Sequence, residues 1–467
     1  GGGGFALTSQ EWLEKPGSVG KRPPGVTVRI LDDEGRERPP GEPKHKPAYA
    51  LKPPVDLTDP EVFSRHGGYT FEAFATMREK APVMWHPETM GAGFWAISTY
   101  ELVKKVELAP ETFSSQKGGI LMNYGMEGVP RHPLLHSSSL NSLINLDRPY
   151  HTPLRMEHMA FFRADFVAEL RKRVDIEVNR LLDRMQAQGP VVDMVEMFSA
   201  ELPLFTLCEI LGVPAADRPK LVHWMHFLEI TQYQAQQEGL GNVTPEQIMT
   251  FMTEIQAMFD YGRYLLEERR KNPQADLLSA IANVKIDGKP LSPEFLDGSW
   301  LLIVFAGNDT TRNSLSGTMR LITEFPELRD QLADDPSRFP NFVNEAIRMV
   351  TPVTYMRRTA TEDTDLGGQK IGAGEKLVMY YPAANRDPAK FESPDTFRID
   401  RPNAREHLSF GHGPHVCLGQ RVANMQLESA YRNIPARFPK VRWTGEQVLA
   451  PNNFVHAISS LTVDLGT

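Results

Sequence analysis

Phe410-Gly411-His412-Gly413-Pro414-His415-Val416-Cys417-Leu418-Gly419 is the stretch whose reading decides the fold. A glycine-rich loop alone means little, and so does a single cysteine. Here Phe410, Gly413, His415, Cys417 and Gly419 hold five places within ten residues. Glycines let a backbone turn tightly and come close to another group. Backbone N–H groups brought near a sulfur tune its charge. The plain alternative is a buried cysteine in a Gly/Pro turn.

Outward from that loop, the bulk of the chain narrows the field. The 467 residues, 41% hydrophobic, suffice for one large core or for two domains. The net charge is −8, and no long basic run is interleaved with aromatics, which argues against nucleic acid as a partner. Only two cysteines are present, Cys208 and Cys417, too few for a disulfide scaffold or an iron–sulfur cluster. Cys208 lies in the apolar helical pattern Leu204–Leu211 and reads as an inert core thiol. So little cysteine suits a reducing, cytoplasmic compartment. No stretch approaches the ~20 apolar residues that span a bilayer, and no signal peptide opens the chain. The expectation is a soluble protein with no membrane anchor.

Residues 1–54 read as a Pro/Gly-rich extension, with Pro23-Pro24, Pro39-Pro40 and Pro53-Pro54 and one short strand pattern over Val26–Leu31. From residue 55 to 467 the chain reads as one domain. Helical periodicity covers Phe71–Lys80, Arg163–Gln188, Leu221–Gln237, Glu246–Asn272, Pro293–Phe325, Phe342–Met349 and Gln420–Arg437. Strand patterns are short: Val83–Trp85, Phe94–Ile97 and Lys376–Tyr381. The expected class is mostly α (α+β), with small peripheral sheets.

The cysteine loop resembles the haem-binding loop of the cytochrome P450 family, F-x-x-G-x-[HR]-x-C-x-G. At average residue frequencies, five specified positions match by chance in roughly one chain of this length in ten thousand. The resemblance spans roughly residues 55 to 467 and implies a mostly helical haem domain. It implies haem b, held non-covalently, with the Cys417 thiolate as axial ligand and Phe410 and Gly411 in the loop against it. The absence of C-x-x-C-H agrees with non-covalent attachment. Such a thiolate pushes electron density onto iron and favours O–O cleavage.

Other segments fall in place around that loop. Leu301-Leu302-Ile303-Val304-Phe305-Ala306-Gly307-Asn308-Asp309-Thr310-Thr311 is apolar on nearly every face until Asp309 and Thr310. A buried carboxylate and hydroxyl are costly unless bonded or functional. Ala306 and Gly307 leave room for a flat cofactor and a diatomic ligand. The run is similar to the family's A/G-G-x-D/E-T helix, which implies that Asp309 relays protons from solvent and that Thr310 holds them at the oxygen site. As an ordinary helix, Thr310 and Thr311 would bond back to the preceding turn and Asp309 would pair with a cation. Glu345-Ala346-Ile347-Arg348 sets an acid and a base at i, i+3, 72 residues before Cys417. It resembles the family's structural E-x-x-R helix, whose third partner would be Arg401 or Arg398. His151-Thr152-Pro153-Leu154-Arg155 resembles H-T-x-x-R. With Arg358 and His415 it implies four cations or donors for the haem propionates.

The resemblance implies a monooxygenase that inserts one atom of O2 into a C–H bond of a small hydrophobic substrate. No G-x-G-x-x-G opens a helix after a strand, so electrons are expected from separate partners, a ferredoxin served by an NAD(P)H ferredoxin reductase. Arg405 and Arg421 are candidates to meet an acidic partner. The implied pocket includes Leu121, Met122, Tyr124, Phe227, Phe305, Val353, Met356, Phe454 and Val455, an apolar lining. The C-terminal half is similar to bacterial alkane and fatty-acid hydroxylases. The His415-Val416-Cys417-Leu418-Gly419-Gln420 form is closer to bacterial terpenoid hydroxylases, so a terpenoid, alkyl or alkyl-aromatic skeleton stays open. The other readings are a haem-thiolate peroxygenase, whose type usually lacks the acid–alcohol pair, and a haem sensor without turnover.

Overall fold

Phe94–Ile97 and Lys376–Tyr380 are apolar at nearly every position, as strands covered on both faces must be. The computed structural model describes residues 30–31, 37–38, 42–48, 51–65, 70–88, 91–122, 132–225, 227, 244–286 and 288–467. Its two main sheets are built from β1 (Val83–His86), β2 (Phe94–Ile97), β3 (Phe113–Ser114), β4 (Val191–Asp193), β5 (Tyr355–Ala360), β6 (Lys376–Tyr380), β7 (Arg442–Leu449) and β8 (Ile458–Asp464). One sheet runs β1-β2-β6-β5-β3, with β2 and β6 parallel and the other pairs antiparallel. Side chains alternate across it. Trp95, Ile97, Leu377 and Met379 join one apolar cluster, while Phe94, Ala96, Val378 and Tyr380 join another. The second sheet, β7-β8-β4, packs beside the helices.

The main helices are α1 (Phe71–Lys80), α2 (Tyr100–Glu107), α3 (His151–His158), α4 (Ala164–Gln188), α5 (Glu201–Leu211), α6 (Pro245–Lys271), α7 (Pro293–Ala306), α8 (Asp309–Glu324), α9 (Phe339–Val350) and α10 (Gln420–Arg437). They surround the largest core, to which α4, α5, α8, α9 and α10 all contribute. α7 is seated closely. The Trp300 indole N–H donates to the Met258 carbonyl of α6 at 3.1 Å. A Cβ on Gly298 would lie 2.5 Å from the Asn141 carbonyl oxygen, so only glycine lets the two backbones meet there.

The expected helix over Pro293–Phe325 is two helices. Gly307 and Asn308 separate α7 from α8. Three local features compete with helical continuation. Gly307 favours it least. The Thr310 hydroxyl donates to the Ala306 carbonyl at 3.2 Å, and the Asn308 amide donates to Asp309 Oδ1 at 3.2 Å. Likewise the strand expected to reach Tyr381 ends at Tyr380, and Tyr381 opens a short helix, Tyr381–Ala384.

Of the N-terminal strand pattern, Ile30–Leu31 pairs antiparallel with Glu37–Arg38, and Val26–Arg29 lie outside the described residues. Residues 42–48 lie against the hairpin Thr364–Leu366/Gln369–Ile371. Lys44 Nζ is 3.0 Å from Asp363, and the Ala48 N–H donates to Gln369 Oε1 at 2.7 Å. Among the described residues, no helix is long and apolar enough to cross a membrane.

Candidate active site

The cysteine loop is shaped by its own hydrogen bonds. The Gly411 N–H donates to Leu408 O at 2.8 Å, and the Cys417 N–H donates to Phe410 O at 2.8 Å. Gly411 and Gly413 both have left-handed φ, +69° and +68°. At Gly413 a Cβ would also fall 2.7 Å from the Glu107 carbonyl oxygen, so the loop passes hard against the end of α2.

Cys417 stands just before α10, and the N–H groups of Gly419 and Gln420 point at its sulfur. Its surface is exposed, yet it faces not bulk solvent but a cleft of about 380 Å³ lined by Arg155, Met159, Phe162, Leu418, Arg421 and Asn424. Enclosure governs its charge: burial pushes the thiol up, against the pull of the two N–H groups and of Arg155. A thiolate here calls for a further cation at the sulfur, as a bound metal provides. The other cysteine, Cys208, is buried in α5, and burial raises its thiol to about 11.

The four donors expected around a haem edge converge. The rings of His151, on α3, and His415 lie 4.2 Å apart. Burial, together with the positive charges of Arg155 and Arg358, lowers His151 to about 4 and His415 to about 2. His151 Nε2 and His415 Nδ1 are buried without a hydrogen-bond partner among the described residues. The Ser115 hydroxyl holds the other nitrogen of His415, Nε2, at 3.3 Å. A group bearing carboxylates answers this excess of positive charge and donors. The residues present therefore fit haem b, with its two propionates and its iron.

On α7, Phe305 and Ala306 turn their side chains out of the core. Phe305 is 40% exposed in the middle of the most apolar segment of the chain, while its neighbour Val304 is fully buried. That is an apolar face lining a space. Asp309 pairs with Arg312, Oδ1 to Nη2 3.4 Å, and Thr310 bonds back to Ala306. Both side chains thus make the contacts of an ordinary helix while standing at a break in one.

The expected pocket residues divide. Val353 and Val455 form an antiparallel bridge, and the Thr354 N–H donates to Phe454 O at 2.8 Å, which brings Val353, Phe454, Val455 and the neighbouring Met356 into one patch. Leu121 is exposed. Met122 is turned into the core under the sheet, with its N–H on the Tyr355 hydroxyl. Phe227 stacks between His223 and Phe251, and Tyr124 lies outside the described residues.

Behind the loop, Glu345, Arg348 and Arg401 are at most 1% exposed. Arg348 grips Glu345 with two bonds of 2.7 Å and donates to Asn385 O and Pro394 O. Arg401 Nε donates to Glu345 at 2.8 Å. The Arg398 side chain instead pairs at the surface with Asp400, leaving Arg401 as the third member.

Residues 339–444 match the sequence pattern of the Cytochrome P450 family. Linalool 8-monooxygenase of Pseudomonas putida is 31% identical over 423 residues, covering 88% of this chain and 98% of that protein. Methyl-branched lipid omega-hydroxylase of Mycobacterium tuberculosis is 34% identical over 404 residues, covering 84% and 90%. Among solved structures, Mycobacterium marinum cytochrome P450 CYP268A2 in complex with pseudoionone superposes with a TM-score of 0.79 at 31% identity, over 89% of this chain and 99% of that one. A cysteine loop facing a cleft, a converging set of donors and near-complete alignment with these proteins agree, and the chain belongs to the haem-thiolate monooxygenases of the cytochrome P450 family.

Proposed function

We propose that residues 55–467 form a haem domain in which Cys417 is the axial thiolate and that its substrate is an apolar terpenoid or lipid carrying an unactivated C–H bond. The observation that carries this reading is that Arg155 lines the Cys417 cleft and, with Arg358, acts on the adjoining rings of His151 and His415. Haem, when bound, supplies the oxidising chemistry: one oxygen atom of O2 enters the C–H bond, and the other leaves as water after two electrons and two protons are consumed.

The chain's own residues bind, orient and deliver protons. His151, Arg155, Arg358 and His415 hold the propionates. The N–H groups of Gly419 and Gln420 spread the negative charge of the Cys417 sulfur. Phe410 and Gly411 shape the loop, and the small side chain of Ala306 would leave room for a flat cofactor. Asp309, partly exposed, passes protons inward after releasing Arg312, and Thr310 holds them at its hydroxyl after releasing the Ala306 carbonyl. Phe305, Leu121, Val353, Met356, Phe454 and Val455 exclude water and bind apolar surface. Linalool, the methyl-branched lipid and pseudoionone in the relatives' names support an apolar, branched chain as ligand. Electrons come from a ferredoxin with its NAD(P)H reductase. Arg421, on the rim of the Cys417 cleft, and exposed Arg405 offer positive charge to it.

The test is spectroscopic. The reduced, CO-bound protein should absorb at the long wavelength typical of thiolate-bound haem, and Cys417→His should abolish that band. Retention of the band in the variant would overturn the assignment.

A further inference from the structure

Glu107, the last residue of α2, has no part in the mechanism above, yet it is 3% exposed. Its Oε1 accepts from the Tyr381 hydroxyl at 2.6 Å. The His412 N–H, inside the cysteine loop, also points at the carboxylate. A Cβ on Gly411 would lie 3.1 Å from Oε1. The second oxygen, Oε2, is buried without a hydrogen-bond partner among the described residues. The positive charge of Arg358 acts on Glu107 and on His415 alike. One buried carboxyl group thus touches the loop that carries Cys417 and shares a cation with the propionate cluster.

We propose that Glu107 is a positioning residue, which holds the Phe410–Cys417 loop through His412 and Tyr381 and, by its charge beside Arg358, sets the reduction potential of the haem iron. The proposal rests on the reading of this loop as the haem site. The groups facing Glu107 are Arg358 from β5, Tyr381 from the helix after β6, His412 from the loop and Tyr100 from α2 itself. His412 in turn senses Lys104 and Glu101 on α2. Burial raises the Glu107 carboxyl to about 7, against the opposing pull of Arg358, the Tyr381 hydroxyl and the His412 N–H. Below that pH the group is neutral, and above it a buried negative charge appears beside Arg358. Added negative charge disfavours the reduced iron, so the potential should fall as pH rises through neutrality.

Spectroelectrochemical titration of the haem-loaded protein from about pH 6 to about pH 8.5, which brackets the shifted carboxyl, tests this. The expected result is a wild-type potential that falls with pH. Glu107→Gln, which keeps an acceptor for Tyr381, should flatten that fall and give the higher potential at the alkaline end. Tyr381→Phe, which removes a donor to the carboxylate, should move the inflection to higher pH. Glu107→Gln and wild-type curves that run parallel would overturn the proposal. If Glu107→Gln loads no haem, an unmoved inflection in Tyr381→Phe overturns it. A wild-type protein lacking the long-wavelength CO band would instead mark failure of the haem-site reading, since that measurement does not involve Glu107.

Discussion

On the proposed reading, the Thr310 side chain serves both the fold and the chemistry. Its hydroxyl bonds to Ala306 O at 3.2 Å, a long contact that relieves a carbonyl at the break between α7 and α8. A hydroxyl so placed exchanges that partner for another acceptor at little cost. Thr310→Ala should therefore load haem and bind substrate as the wild type does, while the share of NAD(P)H converted to product falls about three- to tenfold, the worth of one hydrogen bond, and peroxide rises in its place. Simultaneous assays of NAD(P)H, peroxide and product check this. Unchanged coupling would assign Thr310 to the helix alone. At this scale the sequence was readable where chemistry fixes both type and spacing, as in Phe410–Gly419. Glu107 was not readable, because an acid ending an amphipathic helix looks like solvated charge. Only the fold reveals that it lies under the cysteine loop.

Single elements were legible to different degrees. Phe71–Lys80 and Gln420–Arg437 are helices over the expected residues. The interruption at Gly307 and Asn308 was not foreseen, since periodicity continues across it and only local side-chain bonds break the ladder. α9 carries the other lesson. Glu345 and Arg348 have the spacing of an ordinary surface pair, yet both are fully buried, and Arg401 arrives from 56 residues away to share the carboxylate. Arg348→Ala removes one of the two cations on the buried Glu345 carboxylate and takes the donor from the Asn385 and Pro394 carbonyls, at a cost of ~3–5 kcal/mol, so soluble, haem-loaded protein should nearly vanish. Arg398→Ala removes only a surface contact and should change stability by less than about 0.5 kcal/mol. Chemical denaturation and haem content of both variants check the contrast. Equal stability of the two would contradict the buried triad.

At the scale of the whole molecule, segments more than a hundred residues apart meet. β5 and the stretch before β8 join through the Val353–Val455 bridge, and α7 presents Phe305 outward from the helical core. A pocket lining is hard to read from sequence, because a lining and a core are equally apolar. Met122 illustrates this: it packs beneath the sheet among Phe74, Met84 and Tyr355. The residues that remain carry no charge, so a ligand gains mainly the ~25 cal/mol per Å² of apolar surface it buries. Few fixed polar groups are offered to a sugar or a nucleotide. A panel of alkanes, fatty acids, open-chain and cyclic terpenoids, alkylbenzoates and steroids should therefore shift the Soret band in the order of their apolar bulk. Branched open-chain members should be hydroxylated at unactivated carbons. Phe305→Ala removes roughly 50 Å² of contact and should weaken their binding about tenfold, while leaving the CO band of the haem unchanged. Turnover confined to highly polar compounds, or binding indifferent to Phe305, would place the substrate elsewhere. Preference for cyclic over open-chain members would turn the assignment toward the steroid or cyclic terpenoid side of the family.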